Sequence, residues 1–130
     1  MQDNYQPLPI SEKRTVVIGA SLKKERYSNI AVRRLTEHHV PVTAIGLREG
    51  DIRGTHVFTP FPEVENIHTV TIYVGPRNQP FWYDFILNLH PKRVIFNPGT
   101  ENEEFQAKLQ GLGIEVVEDC TLVMLSKDDF

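Results

Sequence analysis

The fold is indicated most clearly by the sequence Thr15-Val16-Val17-Ile18-Gly19-Ala20-Ser21. Its apolar residues are consecutive rather than alternating, which is typical of a strand that is covered on both faces. A turn of small residues follows, and a helical pattern begins at about Ser28, which we predict to be the N-cap. A buried strand, a small-residue turn and a helix together indicate the phosphate-binding turn of a nucleotide-binding fold.

The composition indicates one globular domain. The chain has 130 residues, 40% of them apolar and 24% charged, and a formal net charge of −3. The acidic balance argues against nucleic acid as a partner, and no apolar run is long enough to cross a membrane. A single cysteine, Cys120, excludes an internal disulfide, and the start of the chain shows no signal sequence, so we expect a cytoplasmic protein.

Strand and helix patterns alternate along the rest of the chain. Strands are predicted at 15–18, 40–45, 69–74, 93–96 and 114–117, and helices at about 28–38, at 80–89 and between Thr100 and Gly113, with Thr100 and Glu103 as its capping pair. This spacing predicts a doubly wound α/β fold with a mostly parallel five-stranded sheet in the order 3-2-1-4-5, helices on both faces, and a cleft between strands one and four. We place an arm at 1–12, the domain at 13–125 and a tail at 126–130.

Each predicted strand ends in small, polar or basic residues. These strand ends are 19–21, 46–48, 75–77, 97–99 and 119–120. The carboxyl ends of parallel strands meet at one edge of an open α/β sheet, and ligands bind there. We therefore expect the backbone of Gly19, Ala20 and Ser21 to approach a phosphate group. A plain structural turn explains these three residues nearly as well.

Arg48 indicates which nucleotide the site prefers. NAD sites place Asp or Glu at the end of the second strand to hold the ribose hydroxyls, whereas a guanidinium suits a phosphorylated ribose. The residue therefore favours a 3′-phosphoadenosine or NADP ligand over NAD. Lys23, Lys24 and Arg26 add cations beside the first turn. Each of these four cations, taken singly, is also explained as a solvated surface residue.

No catalytic or metal-binding constellation is evident in the sequence. The five histidines lack metal-ligand spacing, and none is close in sequence to Cys120. We therefore assign no catalytic residue and no metal ligand.

The order of these motifs resembles the small single-domain CoA-binding proteins. The matching stretches are 16–21, 26–28, 48–54, Pro76, 99–104 and 116–120. The resemblance covers about residues 13–122. It implies a Rossmann-like domain, similar to the CoA-binding domain of the succinyl-CoA synthetase alpha subunit, that binds coenzyme A without a demonstrated reaction of its own.

The resemblance also implies contacts for each part of the ligand. Contacts with the diphosphate are implied for Gly19, Ala20, Ser21, Arg26 and Ser28. A contact with the adenosine 3′-phosphate or adenine is implied for Arg48. Contacts along the adenine or pantetheine path are implied for Val74, Gly75 and Pro76, and contacts with the pantetheine arm and the thiol end for Asn97, Pro98, Gly99 and Cys120.

Three functions remain open at this point. The first is a binding protein for coenzyme A or an acyl-CoA, with this small molecule as its partner. The second is a small enzyme, either NADP-linked or acyl-transferring, that uses Cys120. The third is a degenerate nucleotide fold that serves protein contacts, with Phe81 and Tyr83 on a homodimer face.

Overall fold

The centre of the molecule is a seven-stranded sheet in the computed structural model, which describes residues 7–130. The strands are β1 Thr15–Ile18, β2 Val42–Ile45, β3 Gly50–Ile52, β4 Thr55–Phe58, β5 Thr69–Ile72, β6 Arg93–Phe96 and β7 Glu115–Glu118. Every neighbouring pair is parallel except the hairpin of β3 and β4. Residues 1–6 of the predicted arm lie outside the described residues.

The strand order is β3-β4-β2-β1-β5-β6-β7, so the mostly parallel sheet is confirmed, but the five strands in the order 3-2-1-4-5 are wrong. The short segment 55–58 is itself a strand, β4, and it pairs with β2 at the position predicted for 69–74. The latter segment forms β5, which pairs with β1. Without β3, the six parallel strands follow the Rossmann order β4-β2-β1-β5-β6-β7. The strand order therefore reverses between β1 and β5, whereas the sequence predicted the reversal and the cleft between β1 and the strand that is now β6.

Helices cover both faces of the sheet, as predicted. They are α1 Tyr27–Glu37, α2 Tyr83–Leu89, α3 Glu103–Gly111 and α4 Thr121–Ser126, the last of which was not predicted. On one face, residues of α2 and α3 pack against Val16 and Ile18. On the other face, residues of α1 and α4 pack against Val17. The consecutive apolar residues of β1 therefore serve two cores, as expected for a strand covered on both faces.

The predicted cap of α3 is wrong. The N-cap is Asn102, whose Oδ1 accepts a hydrogen bond from the Phe105 N–H at 3.0 Å. Thr100 does not cap the helix, because its hydroxyl donates to the main-chain oxygen of Asn97 at 2.8 Å. Glu103 is the first residue of the helix, where its negative charge faces the positive end of the helix dipole.

The amino ends of the strands carry a cluster of cations, at the edge of the sheet opposite the strand carboxyl ends. The Arg93 side chain is buried, and its Nη1 donates to the main-chain oxygen of Phe130 at 2.9 Å. Lys13 Nζ donates to the same oxygen at 2.6 Å. Burial, together with the positive charges of Arg93, Lys13 and Lys92, lowers the pKa of His68 to about 4.

His68 should therefore make stability depend on pH. The unfolded chain binds this proton below about pH 6.5, but the folded chain binds it only below about pH 4. The free energy of unfolding should consequently fall as the pH drops between these values, by about 1 kcal/mol after allowance for partial solvent exposure. Urea unfolding of the wild type and of His68→Gln at several pH values measures the difference in slope. Equal slopes in the two proteins would contradict the assignment.

None of the helices within residues 7–130 is long and apolar enough to span a membrane.

Candidate functional site

The turn after β1 depends on a glycine. Gly19 has φ +89°, a conformation that side chains with a Cβ rarely adopt. A Cβ added at Gly19 would lie 2.9 Å from Cγ2 of Val74 in the loop after β5. Gly46, at the end of β2, packs equally closely, because a Cβ there would collide with the main-chain oxygen of Ala20. The ends of β1, β2 and β5 are therefore held in contact where the strand order reverses.

The N–H groups of this turn are hydrogen-bonded to other groups of the protein. The N–H groups of Gly19 and Ala20 both donate to the Ile45 carbonyl at 2.9 Å. The Ser21 N–H donates to the hydroxyl of Ser28 at 3.1 Å. A ligand can therefore approach the backbone of the turn closely, but the three N–H groups of the turn are already paired. Free N–H donors for an anion must come from the neighbouring helix.

The start of α1 supplies such donors. The predicted N-cap is wrong: Arg26 is the N-cap, and Ser28 lies inside the helix with its hydroxyl bonded to the β1 turn. Within residues 7–130, no side chain caps α1 by a hydrogen bond. The N–H groups of its first turn therefore have no partner within the helix, and the helix dipole favours an anion there. Asn29 Nδ2 donates to the Ser21 oxygen at 2.8 Å and fixes the helix start against the turn.

A cleft opens at the carboxyl ends of the strands, in two parts. The large cleft has a volume of about 1220 Å³ and is lined by Gly19, Ala20, Ser21, Leu22, Lys23, Gly46, Leu47, Arg48, Tyr73, Val74, Gly75, Arg77, Asn78, Pro80, Phe81 and Trp82. The small cleft has a volume of about 470 Å³ and is lined by Gly19, Ser21, Lys23, Arg26, Tyr27, Ser28, Tyr73, Gly75, Pro98, Gly99 and Thr100. Residues Gly19 and Ser21 of the β1 turn line both parts, so the two parts adjoin there.

The cleft is strongly cationic for a chain with a net charge of −3. Its charged lining residues are Lys23, Arg26, Arg48 and Arg77, and no Asp or Glu of the described chain lines either part. The salt bridges of residues 7–130 are Arg34–Glu37, Arg53–Glu37 and His56–Glu49. None of the four lining cations takes part in them. Cations without acidic partners in a concave site are typical of an anion-binding site.

The predicted site residues fall into three groups. The large cleft contains Gly19, Ala20, Ser21, Arg48, Val74 and Gly75. The small cleft adds Arg26, Ser28, Pro98 and Gly99. Neither cleft is lined by Pro76, Asn97 or Cys120.

The Asn97 side chain, which follows β6, forms hydrogen bonds with β5 and with the start of α4 in the interior. Its Nδ2 donates to the Thr71 hydroxyl at 2.7 Å and to the Ile72 oxygen at 2.9 Å. Its Oδ1 accepts from the N–H of Thr121 at 2.9 Å. The side chain is buried, and both ends of its amide are engaged by β5 and by the start of α4. A predicted ligand residue thus has an evident structural role.

Cys120 lines neither cleft. It is half-buried and immediately precedes α4. The Tyr73 hydroxyl is buried and has no hydrogen-bond partner within residues 7–130. Burial raises the pKa of Tyr73, so the phenol is protonated at neutral pH.

Three of the other lining residues were expected near this edge: Lys23 as a cation beside the first turn, and Leu47 and Arg77 within the strand ends 46–48 and 75–77. Phe81 was predicted on a homodimer face instead, and Leu22 and Asn78 had no signal in the sequence. Only the position of each loop relative to β1 brings them to the cleft. Among residues 7–130, no three His, Cys, Asp or Glu side chains are grouped as a metal site requires.

A buried glutamine holds two of the loops that form the cleft. Gln79 Nε2 donates to the Val74 oxygen at 2.9 Å and to the Thr100 oxygen at 2.6 Å. Its Oε1 accepts from Asn102 Nδ2 at 2.9 Å. The loop after β5 is thereby joined to the loop after β6 and to the start of α3.

Gln79→Ala should therefore lower the free energy of unfolding by about 2–4 kcal/mol, because it leaves buried polar groups unpaired and opens a cavity. Urea unfolding measures this loss. Gln110→Ala, at an exposed position of α3, is the matched control and should change stability by less than about 0.5 kcal/mol. A similar small change for Gln79→Ala would show that the network does not stabilise the fold.

The order of the strands indicates the class of protein, and similarity to known sequences shows the family. The sheet order and the cleft at its switch point are those of a Rossmann-like α/β domain. The sequence profile of the CoA binding domain family matches residues 13–126, so the chain belongs to the CoA binding domain family. This membership supports a CoA-binding role and gives no support to NADP.

Solved structures agree with this fold. The crystal structure of an uncharacterized protein is 45% identical, with a TM-score of 0.88, and the alignment covers 91% of this chain and 98% of that chain. A hypothetical protein from Pyrococcus horikoshii OT3 is 24% identical, with a TM-score of 0.80, covering 88% of this chain and 82% of that one. A protein from Thermus thermophilus is 22% identical, with a TM-score of 0.77 and 93% coverage of both chains. No curated protein sequence matches significantly.

Proposed function

We propose that this protein binds coenzyme A or an acyl-CoA and has no catalytic activity of its own. The observation that carries the proposal is the set of four cations without acidic partners that lines an elongated cleft. Coenzyme A is an elongated anion with phosphate groups at two separate places, the diphosphate and the ribose 3′-phosphate. A cleft with cations at two separate places suits such a ligand.

The diphosphate belongs at the centre of the cleft. Tyr27 and Ser28 of the first turn of α1 line the small cleft, and Lys23 and Arg26 provide positive charge beside them. Gly19 and Ser21 line both parts of the cleft and allow the ligand to cross the β1 turn. A diphosphate bound at the start of α1 would take the position that it has in other Rossmann-like domains.

The two ends of the ligand then extend in different directions. The adenosine end lies in the large cleft, where Arg48 and Arg77 meet the 3′-phosphate. The pantetheine arm follows the small cleft past Gly75 and Gly99.

Calorimetric titration tests the proposal with four ligands: CoA, 3′-dephospho-CoA, NADP and ATP. We expect CoA to bind most tightly and 3′-dephospho-CoA about 10 to 100 times more weakly, because its charge-assisted interactions with Arg48 and Arg77 are lost. The absence of binding heat with saturating CoA would overturn the proposal. Equal affinity for NADP and CoA would overturn the choice of ligand.

A further inference from the structure

An exposed aromatic side chain stands at the edge of the large cleft. Phe81 is 61% exposed, although it is large and apolar, and it lines the large cleft. Exposed apolar residues that cluster, unlike single ones, are typical of ligand grooves and interaction sites. Phe81 lies in the short 3-10 turn Pro80–Trp82 before α2, on the β5 side of the β1 turn.

Other aromatic residues fix the ring of Phe81 in place. The Phe61 ring lies 5.1 Å from it, and the Trp82 ring meets it edge-on at 5.4 Å. Phe61 in turn stacks on Phe85 at 5.1 Å. A ring supported from behind in this way presents its free surface without the entropy cost of ordering a mobile side chain.

A second exposed apolar residue lies across the cleft. Leu47 is 83% exposed and lines the same cleft from the loop after β2. Because β1 lies between β2 and β5 in the sheet, the loops carrying Leu47 and Phe81 lie on opposite sides of the β1 turn. The polar lining at this end includes the cations Arg48 and Arg77. Two apolar walls beside cations match a flat base attached to a phosphorylated sugar.

We propose that Phe81 is the stacking platform for the purine base of the bound nucleotide, with Leu47 as the opposite wall. This inference rests on the proposed function and assigns a base-binding residue to the same cleft. An aromatic ring stacked on a base contributes about 1–3 kcal/mol, which corresponds to about a 5- to 150-fold change in affinity.

Titration followed by the fluorescence of Trp82, the only tryptophan of the chain, tests the proposal. The ligands are CoA, adenosine 3′,5′-bisphosphate, which lacks pantetheine, and pantetheine 4′-phosphate, which lacks the base. Phe81→Ala should weaken CoA and the bisphosphate at least fivefold and leave pantetheine 4′-phosphate unchanged. Phe81→Tyr keeps the ring and should bind like the wild type. Phe58→Ala, which removes a partly exposed aromatic residue outside the cleft, is the matched control.

The outcomes separate this inference from the proposed function. Wild-type affinity of Phe81→Ala for the bisphosphate, or equal weakening of all three ligands, would overturn the role of Phe81. Binding of the bisphosphate but not of CoA by the wild type would overturn the proposed function and leave base stacking intact. Binding of neither ligand would overturn both.

Discussion

Gly19→Ala is expected to lower the free energy of unfolding by about 2–4 kcal/mol. The substitution adds a Cβ to a residue with φ +89° and brings it within 2.9 Å of Val74. Backbone strain at positive φ and overpacking against a neighbouring side chain each contribute about 1–3 kcal/mol. Urea unfolding measures the loss, and the variant should also bind CoA poorly, because the β1 turn must shift.

Substitutions at two other glycines separate the cost of backbone strain from the cost of overpacking. Gly99 has φ +90° with open space around it, so Gly99→Ala should cost only the strain, about 1 kcal/mol. Gly75 has φ −61° and equally open surroundings, so Gly75→Ala should change stability by less than about 0.5 kcal/mol. If Gly19→Ala costs no more than Gly99→Ala, the close contact between the ends of β1 and β5 does not matter for stability.

Arg48→Ala should weaken CoA binding about 10- to 100-fold. The guanidinium lines the cleft without an acidic partner, and a hydrogen bond to a charged group contributes about 1.5–3 kcal/mol. The affinity for 3′-dephospho-CoA should not change, because that ligand lacks the phosphate that Arg48 meets. Calorimetry with both ligands and both proteins gives the coupling between Arg48 and the 3′-phosphate directly.

Lys108→Ala is the control for the change in net charge. Lys108 is exposed on α3 and lines neither cleft, so its removal should alter the affinity for CoA less than twofold. Equal weakening of CoA and 3′-dephospho-CoA by Arg48→Ala would show that Arg48 does not bind the 3′-phosphate. Selective loss of CoA binding in Arg77→Ala instead would assign that role to Arg77.

The doubly wound fold could be predicted because its signals are local. The consecutive apolar residues of β1 and the glycine turn after it are visible within seven residues of sequence. The strand order was missed because β4 lies between Gly54 and Pro60, in a segment that was not counted among the strands of the sheet. Its place in the sheet depends on pairing with β2, which the local sequence does not reveal. A missed short strand displaced every strand beyond it in the predicted order.

Parts of the site could not be predicted because they depend on partners distant in sequence. Serine is a residue type that often caps helices, but the Ser28 hydroxyl accepts a hydrogen bond from the N–H of Ser21 instead. Asn97 was predicted as a ligand residue, and its amide is bonded to β5 and to α4, a helix that the sequence pattern did not predict. Phe81 was predicted on a homodimer face, and it lines the cleft because the loop after β5 lies next to the β1 turn.

A crystal structure of the protein with bound CoA would show where its two phosphate groups lie. We expect diphosphate oxygens within hydrogen-bonding distance of the first-turn N–H groups of α1, and the 3′-phosphate against Arg48 in the large cleft. A diphosphate bound away from α1, or CoA on another surface with the cleft empty, would contradict this expectation.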